Sequence, residues 1–146
     1  DRVTVAERSY TQRDLYLEAA KLAPSSPVAW SNLGAVMSDT ETIRLLNREW
    51  TAKECYGEAI RLDPTYSVAW FNLGAALSPA EAVRIGERYW SEKECYAEVI
   101  RLDPDHAGAW QNLSRTMNDS DTVLIGDRCM TGKEVKRRQS GGCPVS

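Results

Sequence analysis

Two spacings of apolar residues alternate along the chain. From Thr51 to Leu62, Cys55, Tyr56, Ala59, Ile60 and Leu62 fall on one stripe at helical spacing, and this predicts an amphipathic helix. From Ser67 to Leu77, Val68, Ala69, Trp70, Leu73, Gly74 and Leu77 predict a second helix, with small residues where a neighbour can approach closely. Between such helices the period falls to two. The segments VTVAERSYT from Val3, IRLLNREWT from Ile43, VRIGERYWS from Val83 and VLIGDRCMT from Val123 alternate apolar and polar positions on both sides of a short break. That pattern predicts strand, turn, strand, and therefore four short β-hairpins. Gly86-Glu87 and Gly126-Asp127 suit a type II′ turn, which needs glycine first; Leu46-Asn47 and Ala6-Glu7 suit it less well. The competing reading of these connectors is an irregular loop or an N-terminal extension of the following helix.

The start and stop signals agree with this division. Thr11/Asp14, Thr51/Glu54, Ser91/Glu94 and Thr131/Glu134 have capping-box spacing, each side chain satisfying a backbone donor that the helix cannot. Tyr10, Trp50, Trp90 and Met130 precede the caps, and Leu15, Cys55, Cys95 and Val135 follow at hydrophobic-staple spacing. Glu18/Lys21, Glu58/Arg61 and Glu98/Arg101 are i,i+3 pairs for a solvated face. Asp63-Pro64 and Asp103-Pro104 end their helices, because the residue before proline avoids the helical region. Ser78-Pro79 ends the intervening one.

The whole pattern is a repeat. Trp30, Trp70 and Trp110 recur every 40 residues, and so do Asn32, Asn72 and Asn112, Pro24, Pro64 and Pro104, and Tyr16, Tyr56 and Tyr96. The organisation expected is a hairpin of a truncated first repeat over 1–10, a helix over 11–22 opening an array over 11–136 with units of about 27–66, 67–106 and 107–136, and a flexible basic tail over 137–146. The chain opens on Asp1 inside the recurring pattern and reads as a piece of a longer protein.

Composition narrows the function classes. A net charge of −3 gives no support for nucleic-acid binding, which normally needs a basic face. No run approaches the 18 or so apolar residues of a membrane span. Cys55 and Cys95 hold the same place in successive copies, and stacked helices lie roughly 8–10 Å apart, beyond ordinary disulfide reach. Reduced thiols and a cytoplasmic location are therefore expected. The one histidine, His106, sits in an inter-repeat turn; no Cys/His cluster has metal-site spacing and no glycine-rich phosphate loop follows a strand. Capping and helix pairing account for Glu54, Glu58, Glu94 and Glu98. We expect no enzyme, no cofactor, no metal and no small-molecule substrate.

The unit resembles the tetratricopeptide repeat, a helix–turn–helix motif with a Trp-x-x-Leu-Gly start, small and aromatic positions in its second helix and a closing proline. Trp70, Leu73 and Gly74 match the start, and Ala52, Tyr56, Ala59 and Pro64 the second half. Trp30, Leu33, Gly34, Trp110 and Leu113 repeat the first set; Tyr16, Ala19, Pro24, Tyr96 and Pro104 repeat the second. The resemblance covers roughly Thr11 to Met117. It departs in its period of 40 rather than 34, in Val99 and Ser114 at small-residue positions, and in Glu92 where the family has alanine. It implies a mainly α fold, a right-handed superhelix of helix pairs, here with β-hairpins inserted between the two helices of each repeat, acting as a non-catalytic scaffold for a protein or peptide.

By that resemblance the first helix of each unit lines a concave groove, and Asn32, Asn72 and Asn112 point into it. A carboxamide offers an acceptor and two donors, so a ladder of them can hold an extended backbone; hydrogen bonding to their own neighbours is the alternative. Ser31, Phe71 and Gln111 vary beside the ladder, as do Ala35, Ala75 and Arg115, with Phe71 the candidate apolar contact and Arg115 the candidate for an acidic group. If neighbouring hairpins align, they form a small sheet whose end strands are open to another chain, a route to weak self-association. Cys143-Pro144-Val145-Ser146 has the form of a prenylation box, with Lys136, Arg137 and Arg138 as a basic second signal. A tail lipidated at Cys143 makes the chain a membrane-tethered adaptor.

Overall fold

The computed structural model describes residues 2–5 and 8–139, with side chains over 9–139. Strands β1 (Arg2–Val5) and β2 (Arg8–Thr11) lead directly into α1 (Gln12–Leu22). The order helix, hairpin, helix then occurs three times. The first unit holds α2 (Pro27–Ala35), β3 (Thr42–Leu45), β4 (Arg48–Thr51) and α3 (Ala52–Leu62). The second holds α4 (Ser67–Ala76), β5 (Ala82–Ile85), β6 (Arg88–Ser91) and α5 (Glu92–Leu102). The third holds α6 (Ala107–Thr116), β7 (Thr122–Ile125), β8 (Arg128–Thr131) and α7 (Gly132–Gln139). Arg137 and Arg138, expected in the tail, thus belong to the last helix. Cys143 lies outside the described residues.

The connectors are antiparallel hairpins, with Ile43 opposite Trp50, Val83 opposite Trp90 and Val123 opposite Met130. Gly86 and Gly126 take the left-handed backbone, at φ 65° and 60°, as a glycine-first turn requires. Leu46 and Asn47 both have positive φ, 53° and 64°, which is the type I′ pattern rather than II′. Asparagine tolerates that region and leucine does not, so this turn carries local strain. The expected common sheet does not form: each hairpin is its own two-stranded sheet. The physical reason is the order of packing. Strand β5 lies against α3 and β7 against α5, so a helix separates one hairpin from the next.

All four capping boxes are made. Thr51 Oγ1 accepts from the Glu54 N–H at 3.2 Å, and the Glu54 carboxylate accepts from the Thr51 N–H at 3.0 Å; Thr11/Asp14, Ser91/Glu94 and Thr131/Glu134 repeat this. Each cap is the last residue of a strand, so the hairpin hands its backbone to the helix without a loop. Cys55, at the staple position, lies with its Sγ 3.9 Å from Met37 Sδ, while Trp50 packs instead on Trp30 with ring centroids 4.5 Å apart.

The repeat tryptophans tie the turns to the core. Trp30, Trp70 and Trp110 each donate the indole N–H to the carbonyl of the proline six residues before, Pro24, Pro64 and Pro104, at 2.8 Å in each case. Trp30 and Trp70 also pack at a steep tilt against the hairpin tryptophans Trp50 and Trp90, with ring centroids 4.5 Å apart in both pairs. Around them Leu33, Leu73, Leu113, Ala59, Ile60, Val99 and Ile100 form one continuous core.

The two helices of a unit meet where glycine faces tyrosine. A Cβ on Gly34 would lie 2.9 Å from the Tyr56 ring, and one on Gly74 would lie 2.8 Å from that of Tyr96. The third unit has Ser114 at the glycine position, and Lys136 replaces the tyrosine. Lys136 pairs with Asp119 at 2.7 Å, and Ser114 turns its hydroxyl to the Gln111 carbonyl at 2.7 Å. The serine is tolerated because the ring it would strike is gone.

Units are also tied by charge. Arg13 pairs with Glu41 at 3.0 Å and Lys53 with Glu81 at 2.6 Å, while Lys93 donates to the Thr122 carbonyl at 3.0 Å; each joins a helix to the chain entering the next hairpin. Lys53, with help from the Ser78 N–H, holds the Glu81 carboxyl below its ordinary range.

Two measurements check this packing. Gly74→Ser is expected to cost about 1–3 kcal/mol of stability. In a Tyr96→Lys background the same change should cost less, with a coupling of at least about 0.5 kcal/mol in a denaturation double-mutant cycle. Additive costs would show that the ring is not what excludes the side chain. For Glu81 the folded pKa is depressed, so its stabilisation is complete above about pH 4.3, the unfolded value, and is lost as pH falls through the lower folded value. The acid limb of melting temperature against pH should therefore be shallower in Glu81→Gln than in the parent.

Candidate functional site

Asn32, Asn72 and Asn112 each follow a core tryptophan by two positions, so the helical rotation that buries the indole leaves the amide partly buried at the edge of α2, α4 and α6. Helices α2 and α4 pack on each other, which places Asn32 and Asn72 on neighbouring helices. Their chemistry differs. Asn112 Oδ1 accepts from the Arg115 guanidinium. Among the described residues Asn32 and Asn72 make no side-chain hydrogen bond, so their donors and acceptors remain available.

A cleft of about 470 Å³ opens between the end of α4, the first turns of α5 and the middle of α6. Its walls are Ala75, Pro79, Glu92, Tyr96, Asn112 and Arg115. Burial pushes the Glu92 carboxyl above its ordinary range, against the opposing pull of Arg115. Burial raises the Tyr96 phenol as well, the Glu92 charge adds to the rise, and the Asn112 amide opposes it. The cleft therefore holds an acid, a cation, a phenol and an amide within one another's field. That set can hydrogen-bond a peptide backbone and receive charged side chains of either sign.

Glu92 is the residue that reading the sequence as a repeat did not place in a site. Its signal was present: Ala52 and Ala75 hold these positions one unit earlier, and both become charged, with opposite signs, as Glu92 and Arg115. A paired change on two helices indicates that they face one space.

Beside the amides the structure separates the candidates. Gln111 and Arg115 are exposed. Ser31 is buried at 1% exposure with its hydroxyl unpartnered, so it offers no surface contact. Phe71 is partly buried, its ring 5.8 Å from Tyr96 and 4.9 Å from His106. It packs one unit onto the next, and a Cβ on Gly108 would come within 3.4 Å of it. Val28 and Val68 occupy the Gly108 position in the earlier units, and Ser31 holds the Phe71 position one unit before. His106 Nδ1 accepts from the Ala109 N–H at 3.0 Å and so caps α6. The cap leaves that ring nitrogen occupied by structure.

Residues 55–91, from α3 through the Asp-Pro turn and α4 to the end of β6, match the tetratricopeptide repeat family model. This stretch is a tetratricopeptide repeat. A comparison with curated proteins gave no match. The match runs across the short Asp63-Pro64 turn, the tight helix–helix junction in which the tetratricopeptide pattern survives undivided; within each unit the hairpin separates the two helices. Proteins of this repeat family serve as protein-interaction scaffolds, and the repeat suggests that role for this chain. Among the described residues no helix is long and apolar enough to cross a membrane, and no group of three or more His, Cys, Asp or Glu could hold a metal ion.

Cys55, Cys95 and Cys129 are free thiols. Burial, reinforced by neighbouring carboxylates, pushes both the Cys55 and the Cys95 thiol up to about 12. Since the thiolate is the reactive form, iodoacetamide at pH 8 should modify Cys129 in the native protein and reach Cys55 and Cys95 only after denaturation. Peptide mass mapping reads the outcome; native modification of Cys55 would contradict the burial.

Proposed function

We propose that this tetratricopeptide-repeat chain is a non-catalytic scaffold whose helix pairs wind into the right-handed superhelix of the family and bind an extended peptide along its concave face. The observation that supports it best is the cleft of Glu92, Tyr96, Asn112 and Arg115, continued by the unpartnered amides of Asn72 and Asn32. Asn32 and Asn72 offer hydrogen bonds to peptide backbone at little reorganisation cost. Glu92 and Arg115 supply the sequence preference, because a ligand residue that pairs with one must leave the other's field balanced. Phe71 acts indirectly, by fixing the angle between the units that flank the cleft.

A peptide-display selection on the full chain tests this reading. Peptides selected on the parent should bind at least tenfold more weakly to Asn72→Ala combined with Arg115→Glu, measured by calorimetry. The selected sequences should share an acidic residue that the charge reversal rejects. Undiminished affinity would place binding elsewhere and overturn the concave-face assignment.

A further inference from the structure

In the first two units one arrangement recurs at the base of the hairpin. The indole of Trp50 touches both the ring of Trp30, at 4.5 Å and tilted by 50°, and the guanidinium of Arg48, which lies over it at 3.9 Å from its centroid. Trp90 touches in the same way both Trp70, edge-on at 4.5 Å, and Arg88, at 3.8 Å. Each arginine also pairs with the capping glutamate of the following helix, Glu54 or Glu94. The third unit keeps both partners of this contact, Trp110 and Arg128, and replaces the ring they hold with Met130. Two consequences are visible. Arg128, without an aromatic platform, stands 3.8 Å from Glu134. A cavity of about 300 Å³ opens, walled by Trp110, Ile100, Pro104, Ile125 and Met130.

The rim has changed sign with the contents. Glu58 and Glu98 stand at this helix position in the earlier units, each paired with an arginine of its own helix. In α7 the same position is Arg138, whose guanidinium reaches over the Trp110 ring at 5.2 Å. The residue before it changes from Gly57 and Ala97 to Arg137. The pocket is thus a space that twice holds an indole in this same chain, now vacated, with Arg138 added to the repeat arginine Arg128 and the capping Glu134 at its edge.

We infer that this pocket is a second binding site, distinct from the concave cleft, and that it takes an aromatic side chain flanked by acidic residues in a partner peptide. The aromatic ring would enter beside Trp110 and Arg128 and restore the tilted ring contact and the cation–π contact that Trp50 and Trp90 provide internally. The flanking carboxylates would meet Arg138 and Arg128 at the rim.

The test uses the full chain with its methionine methyls carbon-13 labelled, titrated with a capped Asp-Glu-Trp-Glu-Asp peptide. The expected result is a saturable shift of the Met130 methyl. It should be absent with alanine in place of the peptide tryptophan, and at least tenfold weaker with lysines in place of the acids. Met130→Trp fills the pocket from within, so it should raise the melting temperature and abolish binding. Arg138→Glu restores the charge of the earlier units and should weaken binding at least tenfold. The combined Asn72→Ala and Arg115→Glu variant should bind this peptide as the parent does, which separates the site from the concave cleft. Binding retained by Met130→Trp, a melting temperature lowered by it, equal binding of the alanine peptide, or a chain that dimerises through the pocket in sedimentation would each overturn the proposal.

Discussion

The bond from each repeat indole to the carbonyl of the preceding turn proline fixes the array. Proline ends one helix, and its carbonyl is left without a helical donor. The tryptophan at the start of the next helix supplies that donor while burying its rings. Trp70, for instance, satisfies Pro64 and packs on Trp90 at the same time. One side chain therefore sets the angle of the Asp-Pro junction, anchors the first helix of the unit and seats the hairpin. Because the bond from indole to proline carbonyl is made identically in three units, differences elsewhere can accumulate without disturbing the path of the chain.

The hairpins are accommodated by the same logic. A tetratricopeptide unit ordinarily turns tightly from its first helix to its second, and here ten-residue hairpins such as Thr42–Thr51 stand in that place. Three locks keep such an insertion from swinging free. Its tryptophan joins the core, its arginine covers that tryptophan and pairs with the capping glutamate, and its last residue is itself the helix cap. The insertion thereby becomes a continuation of the following helix. Its first strand rests on the second helix of the previous unit, so it also stitches neighbouring units together while keeping neighbouring hairpins apart.

Most of this was legible in the sequence because it is written locally. Caps, the glycine-first turns, the Asp-Pro stops and the period-two connectors are decided by residues within a few positions of one another. What was not legible depends on contacts across units. Ser31 and Phe71 share a repeat position and look equivalent in the sequence, yet one is sealed in the core and the other packs on Tyr96 and His106. The common sheet failed for a similar reason: alternation predicts a strand but not which element lies beside it. Arg137 and Arg138 looked like a solvated tail because a run of charge hides helical periodicity. Glu92 and Met130 were visible only as departures from a pattern, and a departure acquires meaning only when its spatial neighbours are known.

Those departures share a direction. Of the frame residues, the repeat Trp and Pro are invariant across the three units and the caps change only between Thr and Ser, because each satisfies a backbone partner. Where a unit breaks the pattern, a second residue breaks it in the complementary sense: Ser114 with Lys136 in place of Gly and Tyr, Glu92 with Arg115 in place of two alanines, Met130 with Arg138 in place of Trp and Glu. In the first case the exchange preserves packing, since a clash is relieved by the loss of the ring. In the other two it does not restore what was lost. Two new charges line a cleft, and a vacated aromatic space acquires a basic edge. Repacking alone has no need of charge at either place, whereas recognition of a charged partner does. The physical distinction between drift and specialisation in this array is therefore whether the second change closes the space opened by the first or adds polarity to it.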